Sequence, residues 1–316
     1  MGDYLALFDL AVAWEWAFDA DFIDLLLCHA ARQGWSVLTI THDNLEVTLQ
    51  DLAAARLRVR CLLDRASDAW PAFARLAPLI EHGGGRIINP ARYELRACDK
   101  ARTHLLCAAH GVPLPYTTIV PPFCSDPSPP LIPAGLGRPF VAKPASGGGG
   151  QGVLLDVSTV PDVQNARRMF WHDRYLLQQK VRPGTLDGRR AWFRVFYTCG
   201  HIIPCWWDDL SHLYAPLTPE EEARFGLSPL REIVPRIART VALDFFSAEI
   251  ALADDGRLVC VDYANSPCDL RLQSHHPDGV PDAVVERIIE GLFACVPPRY
   301  ERPPVWAQSF AQKVGL

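Results

Sequence analysis

The sequence predicts a mixed α/β protein in which a small parallel α/β lobe leads into two strand-rich lobes. Three observations carry this. Strand-like and helix-like stretches alternate through residues 1–90, a proline-rich connector occupies residues 121–139, and strand patterns crowd together from Phe140 onward around a run of glycines. A length of 316 residues suits two or three lobes that share a site, the first of them expected over 1–90.

Taken in order, Tyr4 to Leu10 reads as a strand, Phe18 to Gln33 has helical periodicity and stops at Gly34, and Ser36 to Thr41 is a second strand. Leu45 to Ala55 is helical, Leu57 to Leu63 a third strand, Trp70 to His82 a third helix closed by Gly83-Gly84-Gly85, and Arg86 to Asn89 a short strand ended by Pro90. Residues 91–110 read as one helix closed by Gly111 and the Val112-Pro113-Leu114-Pro115 turn. Strands follow at Phe140–Lys143, Gly152–Val157, Tyr175–Val181, Ala191–Tyr197 and His201–Trp207. A hairpin joins Phe245–Leu252 to Arg257–Asp262 through Asp254-Asp255-Gly256, and Val284–Ala294 is a closing helix.

Composition narrows the function. Hydrophobic residues make up 49% and charged residues 21%, which is globular; the net charge is −5 with no lysine- or arginine-rich run, which argues against nucleic acid as the partner. No apolar stretch is long enough for a membrane span, and the acidic N-terminus lacks the basic region of a signal peptide, so a cytoplasmic protein is expected. Ten cysteines without a C-x-x-C pair, most of them in apolar runs, read as buried free thiols.

The most informative segment is Lys143-Pro-Ala-Ser146-Gly147-Gly148-Gly149-Gly150-Gln-Gly152. Its glycines formally match G-x-G-x-x-G, but a dinucleotide fingerprint needs a helix next, and Val153-Leu154-Leu155 is strand-like. A Walker lysine after the last glycine is missing, and the lysine here precedes the loop, unlike that of protein kinases. What remains is a flap between two strands, whose bare backbone N–H groups can close over phosphates. The bland alternative is a floppy surface hairpin.

A lysine on a strand that runs into a glycine flap resembles the ATP-grasp enzymes, and the likeness extends from about Ile87 to Asp269. Asp99-Lys100 followed by Gly111-Val112-Pro113-Leu114-Pro115 is similar to the family's Asp-Lys helix and its Gly-Ile-Pro-Val-Pro turn. Leu176 to Val181 resembles its hinge, and Trp192-Phe193-Arg194-Val195-Phe196 resembles Asp-Ile-Arg-Val-Phe. The resemblance implies an ATP-grasp fold clamping ATP between lobes, and it bounds the last two lobes at 91–183 and 184–316. It casts Lys100, Lys143, Ser146, Gly147, Gly148, Gly149 and Gly150 at the phosphates, Gln178, Gln179 and Val181 at the adenine, and Arg194 at a phosphate or acyl phosphate. The subgroup it is most similar to is that of ribosomal-protein glutamate ligases and glutathione synthetases.

Glu249 and Asp262 each interrupt an otherwise apolar strand of the predicted hairpin, a costly placement unless the carboxylate is paired or metal-bound. Such hard oxygens suit magnesium, with manganese an admissible substitute. Asp262-Tyr-Ala-Asn265-Ser-Pro-Cys268 resembles the family's Glu-x-Asn-x-x-Pro-Gly, with Asp for Glu and the asparagine one residue late, so Asn265 needs a bulge to reach the same place. Arg271 is a candidate for a positive charge that the family often places where Trp206 and Trp207 stand, and Arg65, after the third strand, suits a substrate carboxylate. Trp14 and Trp16 follow the first strand, toward the same cleft, and packing explains them equally well.

The implied activity is a carboxylate–amine ligase that works through an acyl phosphate on an amino acid or peptide, with ATP and Mg2+, and a homodimer is the candidate assembly. The alternatives are phosphate transfer without ligation and a nucleotide-binding module without turnover.

Overall fold

A computed structural model describes residues 5–298. The first strand begins at Ala6, so Tyr4 of the expected strand lies outside the described residues. β1 (Ala6–Ala13), α1 (Ala20–Gln33), β2 (Val37–Ile40), α2 (Leu45–Ala53), β3 (Leu57–Asp64), α3 (Leu76–His82) and β4 (Arg86–Ile88) alternate as expected. All the pairings are parallel, in the order β2-β1-β3-β4. Gly34, with φ +70°, ends α1 in the left-handed conformation that glycine adopts without strain.

The expected single helix over 91–110 is two: α4 (Ala91–Cys98) and α5 (Lys100–Ala109). Asp99 breaks it with extended backbone and caps α5 by accepting the Arg102 N–H, while the Lys100 N–H donates to the Ala145 carbonyl at 2.7 Å. Apolar periodicity runs through the break, so the sequence hides it. β5 (Thr117–Val120), β6 (Phe140–Pro144), β7 (Leu154–Val157) and β8 (Tyr175–Gln179) form an antiparallel sheet ordered β5-β8-β6-β7. α6 (Val160–Met169) opens on a capping box of Thr159 and Asp162 and packs over this sheet. Buried Arg167 of that helix donates to the carbonyls of Pro121 and Ser128 at 3.0 Å and so pins the proline-rich connector.

A small ribbon, β9 (Thr185–Leu186) and β10 (Arg189–Arg190), precedes β11 (Trp192–Thr198), β12 (His201–Trp207) and β13 (Tyr214–Pro216). After α7 (Pro219–Arg224) and α8 (Leu230–Val241) come β14 (Phe245–Leu252), β15 (Leu258–Asn265) and α9 (Asp282–Ala294). The five-stranded sheet is antiparallel, ordered β13-β12-β11-β14-β15. One face packs on α8, through Leu230, Ile233, Val234 and Ile237. The other shares a core with α9 and with Phe22 and Leu26 of α1, which joins the N-terminal lobe to this sheet.

The expectation of free thiols throughout is corrected. Cys199, in the β11–β12 turn, and Cys295, just past α9, form a disulfide with Cα atoms 5.6 Å apart; Cys28, Cys98 and Cys124 are free but exposed. A separation of 96 residues puts the pairing beyond any local reading of the sequence. Among the described residues no helix is long and apolar enough to cross a membrane.

Candidate active site

Register assembles the site. On β14, Glu249 stands directly opposite Asp262 of β15 on one side and Arg194 of β11 on the other. A bulge lets two residues of β14 face three of β15, so Ser247 pairs with Asn265. This places the late asparagine on the same ladder as the two acids. Its side-chain nitrogen is buried without a hydrogen-bond partner.

Glu249 is half-buried, and desolvation pushes its carboxyl above the usual range, opposed chiefly by the Arg194 guanidinium that donates to it. Arg194 also donates to the Tyr214 hydroxyl at 3.1 Å and lies 4.8 Å from the Trp207 ring centroid. The tryptophan that replaces an expected arginine therefore acts as the platform for this one. Tyr214 gave no signal in the sequence, because its role depends on β13 pairing with β12.

Lys143 reaches the same place from β6. Its ammonium donates to the Val261 carbonyl at 3.0 Å; burial lowers its pKa, and the nearby charge of Asp262 opposes that shift. Lys100, the first residue of α5, donates to the Gly147 carbonyl at the base of the flap. The chain has only four lysines, and two of them meet here. Lys143, Glu249 and Asp262 thus lie within electrostatic reach of one another, with Lys100 against the flap.

In the flap, Gly147, Gly149 and Gly150 have φ of +96°, +60° and +73°, and nothing lies within 4 Å of where a Cβ would stand. Glycine is required there for backbone conformation, not for space. Gly152 differs: a Cβ would meet the Phe170 ring at 2.2 Å. The Ser146 N–H and hydroxyl both go to the Asp173 carboxylate, at 2.8 and 2.6 Å, which anchors the flap's first residue. At the hinge, the Gln178 side chain donates inward to Tyr263 and the Gln179 N–H is taken by the Tyr116 carbonyl. A cleft of about 470 Å³ opens beside Gln179 and Val181, bounded also by Tyr116, Arg182 and Val259.

Two candidates stand apart from this cluster. Arg65 grips Asp19 through two hydrogen bonds of 2.9 and 2.6 Å and donates to the Cys268 carbonyl at 3.0 Å, so it ties the N-terminal lobe to the loop after β15; its remaining terminal nitrogen is buried and unpartnered. Arg271 is held between Asp269 and Asp278, at 2.8 and 2.9 Å, and in this structure its charge is met by those carboxylates. His275 pairs with Asp21 at 2.7 Å. Trp14 packs against the shared core, while Trp16 is partly exposed beside Phe18.

The donor set fits a hard dication. Among the described residues no three His, Cys, Asp or Glu side chains gather into a self-sufficient metal centre. Two carboxylates and an amide on adjacent strands instead match a cation that takes its remaining ligands from phosphate and water.

No family model and no curated protein matches this sequence. Solved structures do. D-cycloserine synthetase DcsG superposes with a TM-score of 0.59 at 17% identity, covering 92% of this chain and 100% of its own. The ATP-grasp ligase PsnB, complexed with a minimal precursor, Mg and ADP, gives 0.61 at 13%, covering 90% and 98%. D-alanine–D-alanine ligase from Bacillus anthracis, complexed with ATP, gives 0.59 at 10%, covering 92% and 96%. The fold of this chain is the ATP-grasp fold.

Proposed function

We propose that this protein is an ATP-dependent ligase that joins a carboxylate to an amine through an acyl phosphate. The observation that carries the reading is the convergence of Lys143, Glu249 and Asp262 in one cleft, with Lys100 at the foot of a glycine flap. The nucleotide-bound neighbours support the pairing of ATP with magnesium.

In this reading Lys100, Lys143 and the flap's backbone N–H groups hold the β- and γ-phosphates, with Ser146 fixing where the flap starts. Gln178, Gln179 and Val181 border the adenine. Glu249, Asp262 and Asn265 would hold Mg2+, or Mn2+ in its place, which when bound neutralises phosphate charge. Arg65 presents its unpartnered nitrogen to a substrate carboxylate, leaving Asp19 in place. A carboxylate oxygen attacks the γ-phosphorus, ADP leaves, and an amine then displaces phosphate through a tetrahedral oxyanion. Arg194, or Arg271 once released from its acids, stabilises that oxyanion. Little acid–base chemistry falls to the protein, which fits a site built of cations and carboxylates. A homodimer is compatible with this scheme but not required by it.

The test is phosphate and ADP release against a panel of amino acids and dipeptides, with Lys143→Ala and Asp262→Ala as controls. Release that needs both a carboxylate and an amine is expected. Release with a single substrate would make the protein a phosphotransferase, and ATP binding without any release would make it a non-catalytic module.

A further inference from the structure

We propose that Tyr263 is a positioning residue that seats the Lys143 ammonium against the acidic strand and ties that seat to the other nucleotide elements. The assignment rests on the ligase reading for its purpose, but its geometry stands alone. Tyr263 directly follows Asp262 and is 1% exposed. The Lys143 ammonium lies over its ring, 5.5 Å from the centroid, while donating to the Val261 carbonyl two residues earlier. The lysine is thus held between a carbonyl and a ring that flank Asp262 on the same strand.

The ring in turn is fixed by its hydroxyl. Gln178 of β8 donates to it at 3.2 Å and also to the Thr117 hydroxyl at 3.3 Å. The same hydroxyl makes a second hydrogen bond with His104 Nδ1, 2.7 Å away. His104 is on α5, the helix whose first residue is Lys100. One phenol therefore links the helix of the first lysine, the strand of the second, the hinge strand and the strand of the acids. Any buried phenol needs a polar partner, but a ring that served only to fill the core would not need the lysine over its face.

The experiment reads the lysine itself. Wild type, Tyr263→Phe, Tyr263→Leu and His104→Leu are acetylated with isotopically labelled acetic anhydride, and the rate at Lys143 is followed by peptide mass spectrometry against exposed Lys180. Binding of mant-ATP is measured in parallel. Loss of the ring in Tyr263→Leu is expected to speed Lys143 labelling about tenfold and to weaken mant-ATP by a similar factor, the scale of a desolvated cation–π contact. Tyr263→Phe and His104→Leu keep the ring but loosen it, so each gives a rise of about threefold, and the double variant gives no more than either alone, as expected of two groups in one hydrogen bond. Wild-type labelling rates in folded Tyr263→Leu overturn the assignment; should that variant not fold, unchanged rates in both Tyr263→Phe and His104→Leu overturn it equally. Failure of wild type to bind mant-ATP would instead overturn the ligase reading and leave the labelling result to judge the seat.

Discussion

The flap and the acidic strand pair, joined through Lys100 and Lys143, are built on opposite principles. In the flap no side chain decides anything between Gly147 and Gly150: positive φ is the requirement, and space around each residue is open. On β14 and β15 the side chains decide everything, and register holds them: Glu249 is locked between Arg194 and Asp262, and a bulge brings Asn265 into line. The contrast suggests a division of labour. In the proposed reading the flap would offer backbone N–H groups to the phosphates, and the paired strands would offer charges held in register.

The sharpest way to break this contrast is at the rigid side. Lys143→Met removes a cation but keeps an aliphatic stem of similar length. Turnover should fall at least about a hundredfold, as for loss of one preorganised electrostatic group. The thermal midpoint should stay at or above that of wild type, because burying the ammonium costs stability. A matching loss of midpoint would mean that Lys143 is structural. The flap gives a smaller effect and a cleaner division. Gly152→Ala must push into Phe170 and should cost about 1–3 kcal/mol in urea denaturation. Gly149→Ala, with open space around it, should cost about 1 kcal/mol for its left-handed backbone and act mainly on turnover. Equal losses of stability at the two positions would show that the flap packs as tightly as the strands.

A further effect is one of pH. Burial first, and then the charge of Lys143, lower the His104 pKa to about 4. In the unfolded chain the imidazole titrates near its ordinary value of about 6.5. The unfolded state therefore takes up the proton first. The contribution is complete above pH 6.5 and is lost as pH falls from there toward 4. Urea midpoints of wild type should decline through that window more steeply than those of His104→Leu, and parallel curves would remove His104 from the network.

Much of this was legible in the residues. The parallel N-terminal lobe announced itself through alternating periods, and the flap through a lysine, a strand and a glycine run that no dinucleotide or Walker pattern accommodates. Glu249 and Asp262 stood out because a carboxylate in an apolar strand demands an explanation. Other elements were silent. α8 has an apolar stripe, but Pro235 inside it disguises a helix. The break at Asp99 was hidden because α4 and α5 keep one apolar periodicity. Arg65 read as a candidate for a substrate carboxylate, and nothing in the sequence showed that Asp19, 46 positions away, also holds it.

By itself the sequence determined the local facts: where glycine must replace a side chain, where a charge interrupts a core strand, and in what order strands and helices follow in the N-terminal lobe. Those are set by neighbours along the chain, through backbone conformation and the cost of burying charge. Only the tertiary structure decided which cations remain available and which are spent. Arg65, Arg194 and Arg271 carry the same charge in the sequence, but each meets a different set of carboxylates once folded, and Lys143 meets Tyr263 and Asp262 only because β6 and β15 are brought to one cleft. Electrostatic partnership depends on distance in space and on burial, and neither is written in the spacing of residues.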